Sequence, residues 1–270
     1  MKKTIVRRVA ISLVFIIIST LAVSEALSKL VPTLGIVYEF EREYPNRALD
    51  NAITYVIDPD TIFASLDRGE TNAFLPLPAN TATSVPSWKP TSYFWDQQNY
   101  LKIADALHKF VWKESLEEWY LYSAHFRVFQ CQDSFGGFDQ AQFTFYSVDK
   151  NSYFVHEIWI TPSDREVGAG NAIYKNNGKW KQIDLKKVKV GNASEALSIA
   201  EENGGKEARF NNDNKCSIHI LLDPFVYEYE FLPGLITRHD WGWNVEYAGE
   251  SINIYEIAID PNTGKFKVRK

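Results

Sequence analysis

The stretch Tyr122-Ser-Ala-His-Phe126 has a counterpart 94 residues later, Cys216-Ser-Ile-His-Ile220. Two further pairs of segments follow in the same order at nearly the same separation: Leu101-Lys-Ile-Ala-Asp105 with Leu197-Ser-Ile-Ala-Glu201, and His156-Glu-Ile-Trp-Ile-Thr-Pro162 with Tyr255-Glu-Ile-Ala-Ile-Asp-Pro261. Ordered matches at a nearly constant separation indicate an internal repeat.

Each copy is predicted to be a helix followed by an antiparallel meander. Apolar residues at helical spacing follow Asp96 and Asn192, which are good N-cap residues, and Gly204-Gly205 is predicted to end the second helix. The strands are predicted at 119–131, 138–148 and 153–161, and then at 215–223, 242–248 and 252–260. A meander with one apolar face, covered by its own helix, is a stable two-layer unit. The predicted fold class is therefore α+β, with two repeated units, each a helix packed on a three-stranded antiparallel meander, behind an N-terminal signal or anchor helix.

The N-terminus is predicted to be a targeting segment. Four basic residues, at positions 2, 3, 7 and 8, precede an uncharged run over residues 9–24. Basic residues stay in the cytoplasm while an apolar run enters the membrane, so the body of the protein is expected outside. The run of sixteen residues is shorter than the ~20 of a comfortable membrane span, and Ser24-Glu25-Ala26 is an acceptable cleavage site. Two locations follow: the cell membrane, with the N-terminus inside and the C-terminal domain extracytoplasmic, or secretion if the segment is cleaved.

Four segments are expected along the chain. They are a signal peptide or membrane anchor over 1–27, an N-terminal element and Pro-rich connector over 28–95, and repeat units over 96–170 and 171–270. Without residues 1–26, which hold four basic residues and one acidic residue, the net charge changes from −5 to −8. An acidic body without a basic stripe argues against a nucleic acid partner.

The segment 185–270 resembles a PepSY domain, the small α+β module of peptidase propeptides and of many exported bacterial proteins. The resemblance is carried by three stretches: Ala196-Leu-Ser-Ile-Ala-Glu-Glu-Asn-Gly-Gly205, Trp243-Asn-Val-Glu-Tyr247 and Tyr255-Glu-Ile-Ala-Ile-Asp-Pro-Asn-Thr-Gly264. Residues 96–167 resemble the family more faintly, with Ser163-Asp164-Arg165 in place of the final turn. The resemblance implies a role in inhibiting peptidases or binding partners in the cell envelope, and it supplies no catalytic residue.

Few residues form a recognisable chemical site. His125 and His219 occupy equivalent positions in the two copies, either as polar groups that face one cleft or as ordinary strand residues. The five histidines include no His-Glu-x-x-His pair, and no Cys or Asp stands at metal-ligand spacing, so neither a metal nor a cofactor is predicted. Trp241 and Trp243, beside His239, are the aromatic residues most typical of a binding surface.

Three functions remain open from the sequence. The leading hypothesis is a non-enzymatic module that binds a protein or peptide partner in the cell envelope through its sheet faces or edges. The first alternative is an enzyme in which His125 or His219 pairs with a carboxylate. The second is a glycan-binding protein, which requires Trp241 and Trp243 to be exposed side by side.

The two cysteines, Cys131 and Cys216, are candidates for a disulfide. Export would place them where disulfides persist. If the first strands of the two copies lie side by side and antiparallel around a local two-fold axis, Cys131 lies opposite Cys216. Facing strand residues are ~4.5–5.5 Å apart at Cα, which a disulfide can span. Two independent buried thiols are the alternative.

Overall fold

The computed structural model describes residues 50–70, 73–76, 94–132, 135–148, 152–175, 182–232 and 236–270. Every described residue belongs to one compact unit over residues 47–270. The predicted targeting segment and most of the Pro-rich connector lie outside the described residues. Among the helices in these ranges, none has both the length and the hydropathy that a membrane span requires.

The described strands form one antiparallel sheet. Its members are β1 (Asp50–Val56), β2 (Leu75–Pro76), β3 (Tyr120–Val128), β4 (Gln140–Val148), β5 (Ser152–Thr161), β6 (Glu166–Lys175), β7 (Ser217–Leu232), β8 (Ile236–Ala248), β9 (Asn253–Ile259) and β10 (Phe266–Val268). The strand order is β10-β9-β8-β7-β3-β4-β5-β6-β1-β2. Strands from both halves of the chain therefore share a single ten-stranded sheet.

The prediction of two repeated helix-on-three-strand units is wrong. β3 pairs with β7 from Ala124↔Leu222 to Val128↔Ile218, so no boundary near residue 170 separates two sheets. β6, which the sequence analysis did not predict, adds a further strand beside β5. Two separate three-stranded meanders would together have four edges with unpaired backbone groups. The β3–β7 pairing joins two of these edges, so that their N–H and C=O groups bond to each other. The predicted strands exist, but they assemble into one sheet.

Four α-helices accompany the sheet in the described residues. They are α1 (Ile62–Asp67), α2 (Gln97–Trp112), α3 (Ala193–Ala200) and α4 (Lys206–Asn211). The predicted N-caps are confirmed, because the Asp96 side chain accepts from the Asn99 N–H (2.7 Å) and the Asn192 side chain accepts from the Glu195 N–H (2.9 Å). The predicted end at Gly204-Gly205 is instead a kink. Gly204 has a positive φ of 119°, and a π turn over Glu201–Gly205 connects α3 to α4.

One hydrophobic core lies between one face of the sheet and the helices α2 and α3. Burial alternates along β3, where Ala124 and Phe126 face the core. Ile103 of α2 and Ala196 of α3 belong to the same core cluster. The Gln97 side chain links the two helix N-termini, since its Oε1 accepts from the Ala193 N–H (2.8 Å) and its Nε2 donates to the Gly191 carbonyl (3.4 Å). The opposite face of the sheet points away from α2 and α3.

Cys131 and Cys216 form a disulfide, with an S–S distance of 1.98 Å and a Cα–Cα distance of 5.3 Å. The strand register differs by one residue from the one that predicts this pair. Val128 lies opposite Ile218, so an unbroken ladder would place Cys131 opposite Lys215. The chain leaves the ladder after Val128, and the Cys131 N–H donates to the Cys216 carbonyl (2.7 Å). The bond therefore closes the central strand pair just beyond its regular end.

The long β7–β8 hairpin bends at a break in its register between Asp223 and Tyr227. At this bend, Val226 packs against Ala258 of β9, which is only 1% exposed. The Val226 carbonyl also accepts a hydrogen bond from the Arg269 guanidinium. The bend therefore covers part of the sheet face that points away from the helices.

Candidate functional site

The two histidines predicted from the repeat lie side by side at the centre of the sheet. His125 is on β3 and His219 is on β7, and their ring centroids are 5.4 Å apart. The strand neighbours of His125, Ala124 and Phe126, face the core. Because side chains alternate along a strand, His125 lies on the face opposite the helices. The β3–β7 pairing therefore brings the two imidazoles together.

Burial and the nearby charge of Arg127 keep the histidine pair uncharged at neutral pH. Arg127 Nε donates to His125 Nε2 at 3.5 Å, and the Ser217 hydroxyl lies 3.3 Å from His219 Nε2. Burial, the positive charge of Arg127 and the neighbouring His219 together lower the pKa of His125 to about 3. Burial and Arg127 also lower the pKa of His219, against the opposing effect of Glu246.

Within the described residues, neither imidazole of this pair hydrogen-bonds a carboxylate. Glu246 lies opposite His219 in the β7–β8 ladder. Glu157, on β5, accepts instead from Gln142 Nε2 at 3.5 Å, and burial raises the pKa of its carboxyl. The hydrogen-bonded His–carboxylate pair that the enzyme alternative requires is therefore not formed by His125 or His219 in this part of the chain.

Trp241 and Trp243 do not form an exposed aromatic surface. Their side chains are 4% and 0% exposed, and Trp243 Nε1 donates to the Val190 carbonyl (2.9 Å). Both belong to the hydrophobic core cluster, so the side-by-side exposure that a glycan surface requires is absent at these two residues. His239 lies on β8 opposite Glu228, and its side chain is outside the described residues.

A second histidine pair, which the sequence analysis did not predict as a site, lies on the core side of the sheet. His108 is on the buried face of α2 and His156 is on β5, where it lies opposite Phe145. His108 Nε2 is 2.9 Å from His156 Nδ1, and His108 Nδ1 is 3.0 Å from the Glu114 carbonyl oxygen. Burial lowers the pKa of both imidazoles, that of His156 to about 3.

Two indoles enclose His156. The Trp112 ring stacks on it with centroids 3.8 Å apart and planes 7° apart, and the Trp119 ring stacks with centroids 3.9 Å apart and planes 20° apart. Two near-parallel rings at this distance cannot share one face of an imidazole, so they lie on opposite faces. Trp119 Nε1 also donates to Glu114 Oε2 at 2.9 Å. Among the described residues, His108, Glu114 and His156 form a group that could hold a metal ion. Each offers one ligand atom, and these three atoms lie within 4.8 Å of one another.

The β10 edge carries a third feature, a strip of exposed apolar side chains. Phe266 and Val268 are 42% and 51% exposed, and Ile252, just before β9, is 64% exposed. Val268 and Ile252 also line a groove of about 590 Å³ between α4 and the end of the sheet. The other lining residues are Gly204, Glu207, Ala208, Asn211, Asn212, Asn253, Ile254, Tyr255 and Lys270.

The backbone of β10 has one side paired and one side facing outward. The Lys265 carbonyl accepts from the Asp260 N–H (2.8 Å), and the Arg269 N–H donates to the Glu256 carbonyl (2.8 Å). Backbone groups alternate in direction along a strand, so the N–H groups of Phe266 and Val268 point away from β9. β10 ends the strand order of the described sheet, which makes these two amides available for pairing with an added strand.

Comparison with known proteins finds no matching family model, no matching curated protein and no matching solved structure.

Proposed function

We propose that this chain is an exported, non-enzymatic binding module, held at the membrane by its N-terminal segment, that binds an extended segment of an envelope protein along the β10 edge. The observation that carries the proposal is the strip of exposed apolar side chains beside outward-facing backbone amides on β10. The uncharged run over residues 9–24 behind a basic head supports export. The resemblance of residues 185–270 to PepSY domains supports a binding role rather than catalysis.

An added strand would pair with the outward-facing backbone amides of β10 and also cover the exposed apolar side chains beside them. Its backbone would pair with the amides of Phe266 and Val268, and main-chain hydrogen bonds supply affinity in this mode of recognition. Its alternate side chains would cover the exposed rings and methyl groups of Phe266, Val268 and Ile252. Burial of apolar surface contributes roughly 25 cal/mol per Å², so the apolar strip contributes affinity in addition to the backbone pairing.

The charge at this edge selects the chemistry of the partner. Four of the last six residues are basic, while the chain as a whole carries a net charge of −5. A partner segment that alternates apolar and acidic residues would place its apolar side chains on the strip and its carboxylates near the basic side chains. Opposite charge across an interface raises the association rate and specificity, and salt screens it. Binding is therefore expected to weaken as ionic strength rises.

Site-specific photocrosslinking in the native envelope tests this proposal. A photoreactive phenylalanine analogue replaces Phe266 in the full-length chain, and the matched control replaces Phe129, an exposed phenylalanine (49%) after β3. We expect one protein to crosslink at position 266 and not at position 129. Mass spectrometry of the product should then locate the crosslink in a segment that alternates apolar and acidic residues.

A charge at the centre of the strip provides a second test. Val268→Asp places a carboxylate among apolar side chains and opposes an acidic partner, so it should reduce the crosslink at position 266 at least tenfold. The side chain is half exposed, so the variant should remain folded, as far-ultraviolet circular dichroism would verify. Equal crosslinking at positions 129 and 266, or an unchanged crosslink in Val268→Asp, would overturn the proposal.

A further inference from the structure

The histidine pair enclosed by the two indoles has the donor set of a metal centre. In protein metal sites, neutral imidazole nitrogens and carboxylate oxygens bind a zinc ion at ~2.0–2.2 Å. His108, Glu114 and His156 each offer one such atom, and the three atoms lie within 4.8 Å of one another. We infer that these three residues bind a divalent first-row transition metal, with Zn²⁺ the ion that the donor set fits best.

The hydrogen bonds of His108 direct its second nitrogen at the proposed ion. A carbonyl oxygen only accepts, so the contact to the Glu114 carbonyl places the His108 proton on Nδ1. Nε2 then carries a lone pair and points at His156 Nδ1, 2.9 Å away. Neutral His156 therefore holds its single N–H proton on Nδ1 in the hydrogen-bonded pair, and when a metal takes the place of this proton, the proton moves to Nε2 of His156. Both nitrogen lone pairs then point into the same space.

The separation of the two nitrogens suits a shared ion. Two nitrogens bound to one tetrahedral zinc at ~2.0–2.1 Å lie roughly 3.3 Å apart. The observed 2.9 Å is a hydrogen-bonding distance, so an increase of a few tenths of an ångström converts the hydrogen-bonded pair into a ligand pair. A small rotation of either ring supplies this change.

The groups around the ligands match the outer shell of a metal site. Ligating histidines characteristically donate their other ring N–H to a carbonyl or carboxylate, and ligating carboxylates are themselves hydrogen-bonded. His108 donates to the Glu114 carbonyl, and the Glu114 carboxylate accepts from Trp119 Nε1. The indoles of Trp112 and Trp119 hold the His156 ring from both faces. The protein therefore orients all three donors before any ion binds.

Three protein ligands leave one position of a tetrahedral ion open. Glu114 follows Lys113, whose left-handed conformation (φ 62°) ends α2, and its side chain is exposed to solvent. Two imidazoles and one carboxylate suit zinc and its first-row neighbours rather than calcium or magnesium, which prefer oxygen ligands. The fourth position is then available to water or to a donor from outside the described residues.

A buried hydrogen bond between two histidines is the alternative explanation of this geometry. That explanation gives no role to the Glu114 carboxylate, which is exposed, and none to the Trp119 N–H. Substitutions at these two positions therefore distinguish a metal site from a structural histidine pair, and they do so without altering either imidazole.

The test measures metal binding to the purified, tag-free full-length chain after treatment with a chelator. Isothermal titration with Zn²⁺, and the visible d–d bands of Co²⁺, should both report one ion per chain in the wild type. Glu114→Gln should weaken binding at least tenfold, and Trp119→Phe, which keeps the stacked ring but removes the N–H, should weaken it roughly 10–100-fold. His156→Gln should abolish binding. The matched control, Glu117→Gln, changes an exposed carboxylate three residues away and should bind like the wild type.

Two results would overturn this inference. One is a wild-type chain that binds neither ion. The other is equal binding by Glu114→Gln, Trp119→Phe and Glu117→Gln, which would mean that metal binds adventitiously. Because Glu114 is exposed and its substitution leaves the core intact, the test remains decisive even if His156→Gln fails to fold.

Discussion

Removing the Cys131–Cys216 disulfide should destabilise the protein by an amount that the sequence separation fixes. The bond joins residues 85 positions apart. In the chain-entropy model, a cross-link that closes a loop of this length stabilises the native state by about 4.5 kcal/mol, because it restricts the unfolded chain. The double substitution Cys131→Ala/Cys216→Ala removes that restriction. It deletes only two small side chains, which are 2% and 7% exposed.

Equilibrium urea unfolding measures this loss directly. We expect the free energy of unfolding of the double variant to be lower by about 4.5 kcal/mol, and the m-value to be higher because the unfolded chain expands. For a domain of 150–250 residues, 1 kcal/mol corresponds to roughly 2–4 °C in Tm. The melting temperature should therefore fall by roughly 9–18 °C.

Reduction of the wild-type protein supplies the matched control. A thiol reductant should lower the unfolding midpoint of the wild type to that of the double variant and leave the double variant unchanged. A loss below about 1 kcal/mol, or a reductant that acts equally on both proteins, would refute the reasoning that this bond closes a long loop across the centre of the sheet.

Three further predictions concern a close contact, a titration and export. Gly168→Ala should destabilise the protein by about 1–3 kcal/mol in urea unfolding, because the added Cβ would lie 1.8 Å from the Trp159 ring. The control, Gly136→Ala, should be near neutral, because the nearest contact of its added Cβ is at 4.0 Å. The free energy of unfolding should decrease as pH falls from about 6.5 to about 3, because the pKa of His125 is about 3 when folded and higher when unfolded. His125→Asn should make this decrease shallower by up to about 1.4 kcal/mol per pH unit. A periplasm-active reporter fused after Leu30 should be active, and activity confined to a cytoplasmic reporter would contradict export.

Local signals predicted the secondary structure well. Asp96 and Asn192 cap their helices as expected, because an N-cap is an interaction between residues close in sequence. β6 escaped prediction because Gly168 and Gly170 have low strand propensity. In this strand, Gly168 lies opposite Trp159 of β5, and the Trp159 ring occupies the space that a side chain at position 168 would need. The reason for glycine at this position of β6 is therefore a contact between two strands, which local sequence patterns do not report.

The burial of Trp241 and Trp243 could have been predicted from alternation. Trp241, Trp243, Val245 and Tyr247 occupy every second position, and all four belong to the core. The predicted strand begins only at residue 242, which leaves Trp241 outside it and hides the alternation. With the observed start at Ile236, both indoles fall on the core face.

Long-range pairings could not be predicted from the residues alone. The assumption of a local two-fold axis places β3 beside β7, as the structure does, but the register differs by one residue. The choice of one sheet over two units depends on edge pairing, which repeats in sequence do not specify. The second histidine pair joins a helix to a strand 48 residues away, and no local spacing marks such a pair.

Hydrogen exchange at the β10 edge tests the proposed function most directly. The amides of Phe266 and Val268 point away from β9, whereas the Arg269 amide already donates to Glu256. Once the crosslinked partner is identified, its interacting segment can be added to the protein and the exchange of each amide followed by NMR. The account predicts that the Phe266 and Val268 amides become at least tenfold slower to exchange while Arg269 changes little. Unchanged exchange at Phe266 and Val268, with the partner bound, would contradict strand addition at β10.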